Sequence, residues 1–567
     1  MAFLKTQGMP PTEHPDSKET SGIAIISAKT AYLAGFQAVG NSLPILHAID
    51  LEAGHSADLT DSLEQVLSDE QLTAVHLYIE TLQKVPELSQ AALKAVRKGI
   101  PIVVVKGGQS AAGQRVMPHH PDRLANENVV ISALFDRLGF IECATLAEAL
   151  ETLKMLMYGG RPLGRKIALV SNSSTYATLS ADTATAVGLD ICQLEDSISA
   201  YLKPLVTKHL PSNPLALNSE DQTDTSARQQ IFKSFLMNEF DVAVQVVPLS
   251  TTGESAAEDS TIEIEMVEAF AKESALHRMP CVHINPLPQT LETALSDKII
   301  ANGVAPLQGL QHGFKAVINS ARFVEQMVLM AQMPTGAIVL PKTPNLTLTQ
   351  QLDEVESKRR LYKSGITVPK AAVIEGSQSL DLAGMKFPIV LKAVSADLTH
   401  KTELDAVRLN IQSEDQLRQT LFDIHKWLDS VNLRGFLIEE MVTDGVGELL
   451  VGIRQVTGIG QVLTLAFGGT TVELLGDAKT LILPASSAEI ELALRSLRLF
   501  PTINGWRGQP AADTNQVVEA IALICNYAQS EQDQLYALEI NPLIVRPAEY
   551  SPVAADVVIQ LGEEILP

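Results

Sequence analysis

The sequence predicts an α/β protein with two consecutive doubly wound domains, followed by a third domain of the α+β class. As far as Met330, short apolar runs alternate with helical patterns, which is typical of parallel βαβ units. Further along, strand patterns follow one another more closely and helices fall at the ends, which favours a mixed, largely antiparallel sheet. The length of 567 residues agrees with this division, because it exceeds the length of a chain with one hydrophobic core and fits about three to four domains.

The first α/β domain is expected at residues 22–160. It contains three apolar runs of strand length, and a helical pattern at 82–98 separates the second run from the third. The domain is expected to end at the turn GGRP, which begins at Gly159. The runs are GIAIIS (22–27), AVHLYI (74–79) and IVVV (102–105).

The second α/β domain is expected at residues 161–335. It begins with the run KIALVSNS at Lys166 and ends with a helical pattern at 314–330. A Pro-rich linker is expected at 336–345. The other strand runs are DVAVQVV (241–247) and CVHIN (281–285).

The third domain is expected at residues 346–567. A helical pattern at 354–363 leads into the turn GITVP, after which strand runs dominate. These are FPIVLK (387–392), FLIEEM (436–441), ELLVGIR (448–454) and YALEINPLIV (536–545).

The composition describes a well-packed protein with an acidic surface. Apolar residues make up 46% of the chain, charged residues 19%, and the net charge is −23. We expect no nucleic-acid partner, because such a charge repels polyphosphate. The four cysteines are far apart and make no metal-ligand spacing, which fits a reducing cytoplasm. They are Cys143, Cys192, Cys281 and Cys525.

The N-terminal residues 1–21 have no apolar signal core and are expected to form a disordered leader. The most apolar long stretch, 327–340, is interrupted by Gln332, Pro334 and Gly336, so no membrane span is expected. We therefore expect a cytoplasmic protein.

Several residues of the third domain suit the binding of ATP and magnesium. Lys392 closes an apolar strand and offers a point charge for phosphate oxygens. Glu539 and Asn541 are two residues apart on one strand, so their side chains project to the same face. Carboxylate and amide oxygens are hard ligands that suit Mg²⁺. Each of these residues alone has an ordinary explanation as a solvent-exposed residue of a strand. Their order along the chain, taken together, favours a nucleotide site.

These stretches resemble the ATP-grasp domain of the NDP-forming acyl-CoA synthetases, relatives of succinyl-CoA synthetase. The resemblance implies that Lys392 contacts ATP phosphates, that Glu440 lies at the adenine hinge and that Glu448 lies in the nucleotide pocket. The matching stretches are LDEVESKRRLYKSGITVP, FPIVLKAVSADLTHKTELDAVRL, FLIEEMVTDGVGELLVGIRQ, FGGTTVELLGDAKTLILP, INGWRGQPAAD and LEINPL.

The same resemblance implies a magnesium site and a phosphoryl carrier. Asn541 and Asp556 would coordinate Mg²⁺. His400 takes the position of a histidine proposed to carry a phosphoryl group near ATP, and Glu539 would orient it. The chain departs from the family just afterwards, because Asp405-Ala406 stands where two glycines are usual.

The first domain resembles the succinyl-CoA ligase-like, flavodoxin-like domain of this family. Its segment KGGQSAAGQRVMPHHPDRLANENVV aligns with the phosphohistidine loop, so that His120 takes the histidine position and His119 a serine position. Glu80 takes the place of the glutamate that would orient this histidine. An imidazole suits the task because the neutral ring is a nucleophile near pH 7.

Two helix starts in the α/β domains are also implied to receive the phosphoryl charge. In the first, Ser27 and Thr30 can donate hydrogen bonds where the family has a Ser-Gln-Ser-Gly-type turn. In the second, Asn172 opens the sequence NSST where the family has Asn-Ala-Gly-Gly. The loop after His120 departs too, with Pro121-Asp122 in place of Thr-Gly. These changes either retune the substrate or mark a degraded site.

The resemblance implies an ADP-forming acyl-CoA synthetase that uses ATP, Mg²⁺ and coenzyme A on a small carboxylic acid. The family commonly begins with a CoA-binding domain, which we do not find upstream of Gly22, so CoA is expected to bind either on a separate CoA-binding subunit or elsewhere in this chain. A homo-oligomer is expected as well. Two other functions stay open: an ATP-grasp ligase that acts on a nucleophile other than CoA, and a nucleotide-binding regulatory or scaffold subunit.

Overall fold

The computed structural model describes residues 21–39, 43–52, 58–116, 128–206, 210–217, 225–249, 256–288, 291, 293–332, 339–342, 344–375, 382, 384–394, 407–427, 434–468 and 476–564. By Cα proximity the chain divides into two compact units. The first unit comprises residues 1–125 and 138–334, and the second comprises residues 126–137 and 335–567. No helix of the described ranges is both long and apolar enough to cross a membrane.

The first unit opens with a parallel sheet, whose five strands in the described residues follow the order β2-β1-β3-β4-β5. Every residue of β1 and β4 is buried, as expected for central strands covered by helices on both faces. The strands are β1 (Gly22–Ser27), β2 (Ile45–Asp50), β3 (Leu72–Ile79), β4 (Ile102–Lys106) and β5 (Phe140–Cys143). The helices in this part of the sequence are α1 (Thr30–Val39), α2 (Leu59–Val66), α3 (Val85–Arg97), α4 (Ala111–Val116), α5 (Asn128–Leu138) and α6 (Leu146–Lys154), with a π-helical turn at Met155–Gly159.

A second parallel sheet belongs to the same unit, with the described strands in the order β10-β9-β8-β6-β7. Numbered from its own first strand, this is the order 2-1-3-4-5 read from the other edge, so both sheets have the flavodoxin-like arrangement. The strands are β6 (Ile167–Ser171), β7 (Leu215–Ala216), β8 (Val242–Val246), β9 (Cys281–Asn285) and β10 (Ala305–Gln308). The helices are α7 (Ser174–Val187), α8 (Asp196–Leu202), α9 (Thr225–Phe235), α10 (Ala256–Leu276), α11 (Thr293–Ala301) and α12 (Leu310–Gln332).

The two α/β layers pack against each other through α6 and α12. The buried Asn319 amide donates hydrogen bonds to Glu148 and to Thr152, each at 3.2 Å. The backbone N–H of Gln308 donates to the Glu151 carboxylate at 3.0 Å. The expected fold of two flavodoxin-like layers is therefore confirmed, and both layers lie in one compact unit. The boundary between them at 160/161 stays a prediction.

The second unit is built from antiparallel sheets, which confirms the expected α+β class. In the described residues, its larger sheet follows the order β11-β21-β19-β16-β17-β18, with β20 beside β19, and its smaller sheet follows β12-β15-β13-β14. The strands are β11 (Leu346–Gln351), β12 (Ala371–Glu375), β13 (Ile389–Val394), β14 (Val407–Ile411), β15 (Gly435–Glu440), β16 (Gly447–Val456), β17 (Gly460–Phe467), β18 (Ala478–Ile482), β19 (Leu535–Val545), β20 (Val553–Ala554) and β21 (Val557–Glu564). The helices are α13 (Glu354–Lys363), α14 (Glu414–Trp427), α15 (Ser487–Arg495), α16 (Phe500–Ile503) and α17 (Thr514–Ser530), with a 3₁₀ turn at Trp506–Gly508.

Helix α5 lies within the sequence of the first domain, yet its residues up to Arg137 belong to the second unit. The Arg137 guanidinium donates hydrogen bonds to the Glu489 carboxylate at 2.5 Å and to the Pro484 carbonyl at 2.7 Å. The expected domain at 22–160 includes this stretch, and its bounds stay a prediction. The chain thus leaves the first unit after Ala125 and returns to it at Leu138.

Candidate functional site

Four charged side chains form a buried network in the second unit: Glu354, Lys358, Lys392 and Glu439. We call this group the lysine–glutamate network. Each of its side chains is at most 7% exposed. The ammonium group of Lys392 lies 2.6 Å from the Glu354 carboxylate and 3.1 Å from the Glu439 carboxylate.

Lys358 is the fourth member of the network and lies on the same helix as Glu354. Its ammonium group is 2.5 Å from the Glu439 carboxylate and 2.9 Å from that of Glu354. Both lysines also donate a hydrogen bond to the carbonyl oxygen of Ala555, at 2.6 Å from Lys392 and 2.7 Å from Lys358. Two cations and two carboxylates therefore balance in a region that water barely reaches.

Local sequence explains how the network is assembled. The Asp353 side chain caps α13 by accepting from the backbone N–H of Glu356, so Glu354 begins the helix and Lys358 lies one turn later on the same face. Strands β13 and β15 pair so that Glu439 is opposite Val390, two residues from Lys392. Residues two apart on a strand share a face, so Lys392 and Glu439 project to the same side of the smaller sheet.

The two lysines differ in proton affinity. Burial alone lowers the pKa of Lys392, but the carboxylates of Glu354, Glu439 and Asp556 outweigh it and hold this pKa above the ordinary lysine value. Burial, followed by the neighbouring charge of Lys392, lowers the pKa of Lys358. The carboxylates around Lys392 thus favour its charged form.

The predicted magnesium ligands lie close to this network. Asp556 follows β20 directly after Ala555, and its charge acts on Lys392. The backbone N–H of Asn541 donates to the carbonyl oxygen of Asp556 at 3.1 Å, which brings the two predicted ligands together. The side chains of Glu539 and Asn541 are exposed on β19. In the described ranges no three His, Cys, Asp or Glu side chains meet as a ready-made metal cluster. The carboxylate and amide oxygens suit Mg²⁺ by type, and their role stays a prediction.

The other two predicted nucleotide residues lie apart from the network. The half-buried Glu440 carboxylate accepts a hydrogen bond from the backbone N–H of Lys386 at 3.0 Å and lies 3.8 Å from the Lys370 ammonium group. Glu448 is exposed on β16 in the larger sheet, and its carbonyl oxygen accepts from Gly468 at 2.6 Å. Their assignment to the adenine hinge and the nucleotide pocket also stays a prediction.

In the first unit, predicted residues meet at the carboxyl ends of neighbouring strands. Ser27 ends β1 and Glu80 follows β3, and these strands pair directly. The buried Ser27 hydroxyl donates to the Lys29 carbonyl at 2.8 Å. The half-buried Glu80 carboxylate accepts from the Tyr78 hydroxyl at 3.2 Å. The carboxyl edge of a parallel sheet is the usual place for a ligand in this fold class.

A carboxylate of the chain itself occupies the start of helix α1. The backbone N–H of Thr30 donates to Glu52 at 3.1 Å, and the Lys29 ammonium group donates to the other Glu52 oxygen at 2.7 Å. Hydrogen bonds from these two groups lower the pKa of Glu52. The Thr30 N–H, which the resemblance assigns to a phosphoryl group, is thus already paired with Glu52, and so is the neighbouring Lys29 cation.

Asn172 lies at the corresponding edge of the second sheet, directly after β6. Its side-chain amide donates to the Glu263 carboxylate at 3.3 Å. Helix α7 begins two residues later at Ser174. The loop therefore leads into a helix start, as the sequence predicts, and a role for Asn172 in anion binding stays a prediction.

His119, His120, Pro121, Asp122, His400, Asp405 and Ala406 lie outside the described residues, so their proposed roles rest on the sequence. Sequence reasoning missed Glu354, Lys358, Glu439 and Glu52. A signal for the first pair was present, because Glu354 and Lys358 have the i,i+4 spacing of a helical ion pair.

Comparison with known proteins agrees with this architecture. The family model of an ATP-grasp domain matches residues 347–561, and that of a succinyl-CoA ligase-like flavodoxin domain matches residues 21–156. A trans-feruloyl-CoA synthase from an unknown prokaryotic organism is 23% identical over 98% of this chain and 78% of its own length. The ADP-forming acetate–CoA ligase I of Archaeoglobus fulgidus is 23% identical over 90% of this chain and 73% of its own.

A shorter relative matches only part of the chain. The beta subunit of ADP-forming acetate–CoA ligase II from Pyrococcus furiosus is 25% identical over 34% of this chain and 84% of its own length. The fold and the two matching models together define an ATP-grasp protein fused to a succinyl-CoA ligase-like layer. Over most of its length the chain is similar to proteins named as CoA ligases and a CoA synthase.

Proposed function

We propose that the protein is an ATP-dependent acyl-CoA synthetase that converts a carboxylate, CoA and ATP to acyl-CoA, ADP and phosphate. One observation carries this proposal: a buried Lys392, whose pKa is raised by the carboxylates of Glu354, Glu439 and Asp556, lies in an ATP-grasp domain that shares its chain with a succinyl-CoA ligase-like layer. A small carboxylic acid is the substrate class, and relatives of the chain are named as CoA ligases and a CoA synthase.

The proposed reaction passes through two phosphorylated intermediates. An imidazole nitrogen of His120 attacks the γ-phosphorus of ATP, and ADP leaves. The substrate carboxylate then attacks the phosphohistidine to give an acyl phosphate and free histidine. The thiolate of CoA attacks the acyl carbon and releases phosphate. His400 is the proposed carrier nearer the nucleotide, and it can take the phosphoryl group from ATP, with release of ADP, and pass it to His120.

The polar groups around Lys392 have matching tasks in this scheme. Lys392 neutralises phosphate oxygens of ATP, while Asp556, Asn541 and Glu539 supply oxygen ligands for Mg²⁺. Glu354 and Glu439 hold the lysine in place. Glu440 and Glu448 belong to the proposed adenine and nucleotide contacts. The magnesium ion would add Lewis-acid stabilisation of phosphate charge when it is bound.

In the first unit, Glu80 is proposed to orient the histidine. Ser27, Thr30 and Asn172 are proposed to donate hydrogen bonds to the phosphoryl group at the helix starts. CoA is proposed to bind on a separate subunit, since a relative of the ATP-grasp part is named as one subunit of an acetate–CoA ligase. A homo-oligomeric assembly and a cytoplasmic location complete the proposal.

The test is the phosphorylation of the purified protein by γ-labelled ATP and magnesium. We expect acid-labile, base-stable label in the wild type, and at least a tenfold loss of it in His120→Ala. His400→Ala measures the contribution of the second carrier. Wild-type protein that binds ATP but acquires no label would exclude the relay.

One observation favours a second function, that of a nucleotide-binding regulatory subunit. Glu52 neutralises Lys29 and the start of α1, where the family function requires an incoming phosphoryl group. If the protein is such a regulatory subunit, ATP binds to the second unit, but the protein acquires no phosphoryl label and no acyl phosphate forms. Trapping with hydroxylamine separates the possibilities, because it converts an acyl phosphate to a hydroxamate without any need for CoA.

A further inference from the structure

Two buried ammonium groups meet at one carbonyl oxygen next to the proposed magnesium site. The Ala555 carbonyl accepts a hydrogen bond from Lys392 at 2.6 Å and another from Lys358 at 2.7 Å. Ala555 is followed directly by Asp556, a proposed ligand of Mg²⁺. Lys392 is assigned to the phosphates of ATP, whereas Lys358 has no task in the proposed reaction. Its contact with Ala555 connects Lys358 to the residue before a proposed metal ligand.

A second lysine beside the first is unfavourable in itself. The side chain of Lys358 is 6% exposed, and burial, followed by the charge of Lys392, opposes its protonated form. The carboxylates of Glu439 and Glu354, at 2.5 Å and 2.9 Å, offset this cost. A buried ion pair adds little net stability over apolar side chains of similar size. Stability alone therefore does not account for a second lysine at this position.

The Lys358 ammonium group joins three elements of the second unit. An ammonium group carries three hydrogen-bond donors and no acceptor. The acceptors around Lys358 are Glu354 on its own helix α13, Glu439 on strand β15 and the Ala555 carbonyl just after β20. Lys358 thus ties the helix and the smaller sheet to the segment that carries Asp556.

The same segment is attached to strand β19 by its backbone. The N–H of Ala555 donates to the Pro542 carbonyl at 3.0 Å, and the Asp556 carbonyl accepts from the N–H of Asn541 at 3.1 Å. The Ala555 carbonyl belongs to the peptide plane that ends at the Asp556 Cα, and this plane is rigid. By holding that carbonyl, the two lysines orient the plane from which the Asp556 side chain departs.

We infer that Lys358 is a positioning residue for Asp556 and thereby sets the affinity of the nucleotide site for Mg²⁺. In this role it contacts neither the nucleotide nor the metal ion, and it acts through the carbonyl oxygen of Ala555, 197 residues further along the chain. The role rests on the proposed function, in which Asp556 and Asn541 hold Mg²⁺.

A purely electrostatic role for Lys358 predicts an effect of the opposite sign. A cation near the site repels a metal ion, so removal of its charge alone would strengthen metal binding. Loss of the contact with Ala555 would weaken metal binding, because groups that orient a metal ligand typically contribute about tenfold to a hundredfold to the affinity. The direction of the change therefore separates the two roles.

The test measures the binding of Mn²⁺ to the full chain, because Mn²⁺ shares the preference of Mg²⁺ for oxygen ligands. Free Mn²⁺ is counted by electron paramagnetic resonance in the presence of an equimolar non-hydrolysable ATP analogue, with the analogue alone as the blank. We expect the dissociation constant of Mn²⁺ to rise at least about tenfold in Lys358→Met, which keeps the length of the side chain but removes its donors.

Two further variants calibrate this measurement. Asp556→Asn removes the charge of the proposed ligand itself and should weaken the binding of Mn²⁺ at least as much as Lys358→Met. Arg359→Gln is the matched control, because Arg359 is the next residue of α13 and forms an exposed ion pair with Glu356. It should bind Mn²⁺ as the wild type does.

A double variant keeps the test decisive if Lys358→Met unfolds. Lys358→Met combined with Glu439→Gln removes one charge of each sign and leaves Lys392 paired with Glu354. Its urea unfolding, followed by tryptophan fluorescence, should lie closer to the wild type than that of the single variant. Its affinity for Mn²⁺ should remain as low as in the single variant, because the contact with Ala555 is still missing.

The outcomes separate this role from the proposed function. A wild-type complex that binds no Mn²⁺, or an Asp556→Asn variant that binds it normally, would refute the proposed magnesium site and with it the role of Lys358. Weaker binding in Asp556→Asn beside unchanged or tighter binding in Lys358→Met would refute the role of Lys358 alone. Recovery of Mn²⁺ affinity in the double variant would refute it too, because Lys358 would then only balance the charge of Glu439.

Discussion

Each unit holds a lysine against carboxylates near a proposed phosphate position, but the two lysines are in opposite environments. In the first unit, Lys29 pairs with Glu52, and their side chains are 33% and 46% exposed. In the second, Lys392 is 7% exposed and contacts two carboxylates. Solvent screens the exposed pair, so an incoming anion can displace Glu52. The buried network cannot open without leaving a charge unpaired, so it acts as a fixed frame for Lys392.

The buried titratable groups of the two units differ in the same way. Besides the buried ion pair of Lys154 with Glu151, the first unit buries imidazoles in their neutral form: burial lowers the pKa of His76 to about 4 and that of His283 to about 3. The second unit buries ionised groups in a balanced network. Acid is therefore expected to lower the stability of the first unit by protonating its imidazoles. The loss of one charged partner is expected to lower the stability of the second.

The largest expected effect comes from Lys392→Met, which leaves Glu354 and Glu439 with an uncompensated charge. We expect the free energy of unfolding of the second unit to fall by about 3–5 kcal/mol. Both tryptophans, Trp427 and Trp506, belong to the second unit, so urea unfolding followed by tryptophan fluorescence reports this unit alone. The double variant with Glu354→Gln should recover part of the loss, because it removes the unpaired carboxylate.

Lys29→Met is the matched control for that experiment. It removes the lysine of the exposed pair and should leave the unfolding of both units nearly unchanged. A loss below about 1 kcal/mol in Lys392→Met would contradict the comparison, since it would mean that water reaches the network.

The next largest effect is the response of the first unit to acid. The folded-state pKa of His283 lies below its unfolded value, so its contribution to stability is full above pH 6.5 and is lost as pH falls towards 3. By pH 5 the loss is about 2 kcal/mol for His283, with a similar loss for His76. His283→Leu should remove its own share, because neither ring nitrogen has a hydrogen-bond partner among the described residues.

The measurement is urea unfolding from pH 7 to pH 5 by far-UV circular dichroism, which reports both units, beside tryptophan fluorescence, which reports the second. The loss of stability at low pH should appear in the circular dichroism signal and not in the tryptophan fluorescence. Equal pH dependence of wild type and His283→Leu would show that the imidazole is accessible to protons in the folded state.

The smallest effect is expected from Glu52→Gln, which weakens the partner of Lys29 and Thr30 without changing the shape of the side chain. Unfolding should not change, but the KM for phosphate in the acyl-CoA-consuming direction should fall by about twofold to fivefold, because the helix start becomes available to an anion. Glu64→Gln, which alters the exposed pair with Lys94, is the control. An unchanged KM would mean that the anion does not bind at this end of α1.

The sequence predicted the fold class because its strands carry strong patterns. The run GIAIIS is buried at every position, which is why an uninterrupted apolar run predicted a covered strand. Strand β7 has only two residues, Leu215 and Ala216, too few to make a periodic pattern. Helix α5 was not predicted as an element of its own, and a pattern along one helix does not specify which unit covers it.

The sequence predicted the candidate site only where a single residue can be recognised without its contacts. Lys392 was identified from its strand end and from the family resemblance. Its partners were missed, because Glu354 and Glu439 come from elements 38 residues before it and 47 after it, and only tertiary packing brings them together. Glu52 was missed for the same reason, since it caps a helix from a neighbouring loop 22 residues away.

The attachment of α5 to the second unit has a consequence during protein synthesis. Arg137 is translated 352 residues before Glu489, its partner in the capping box of α15. At about 5–20 residues per second, a ribosome takes roughly 20–70 s to cover that distance. Until Glu489 has been synthesised, the Arg137 cation lacks its carboxylate partner. The contact between α5 and the start of α15 therefore forms late in synthesis, and a nascent chain that stops before Pro484 cannot form it.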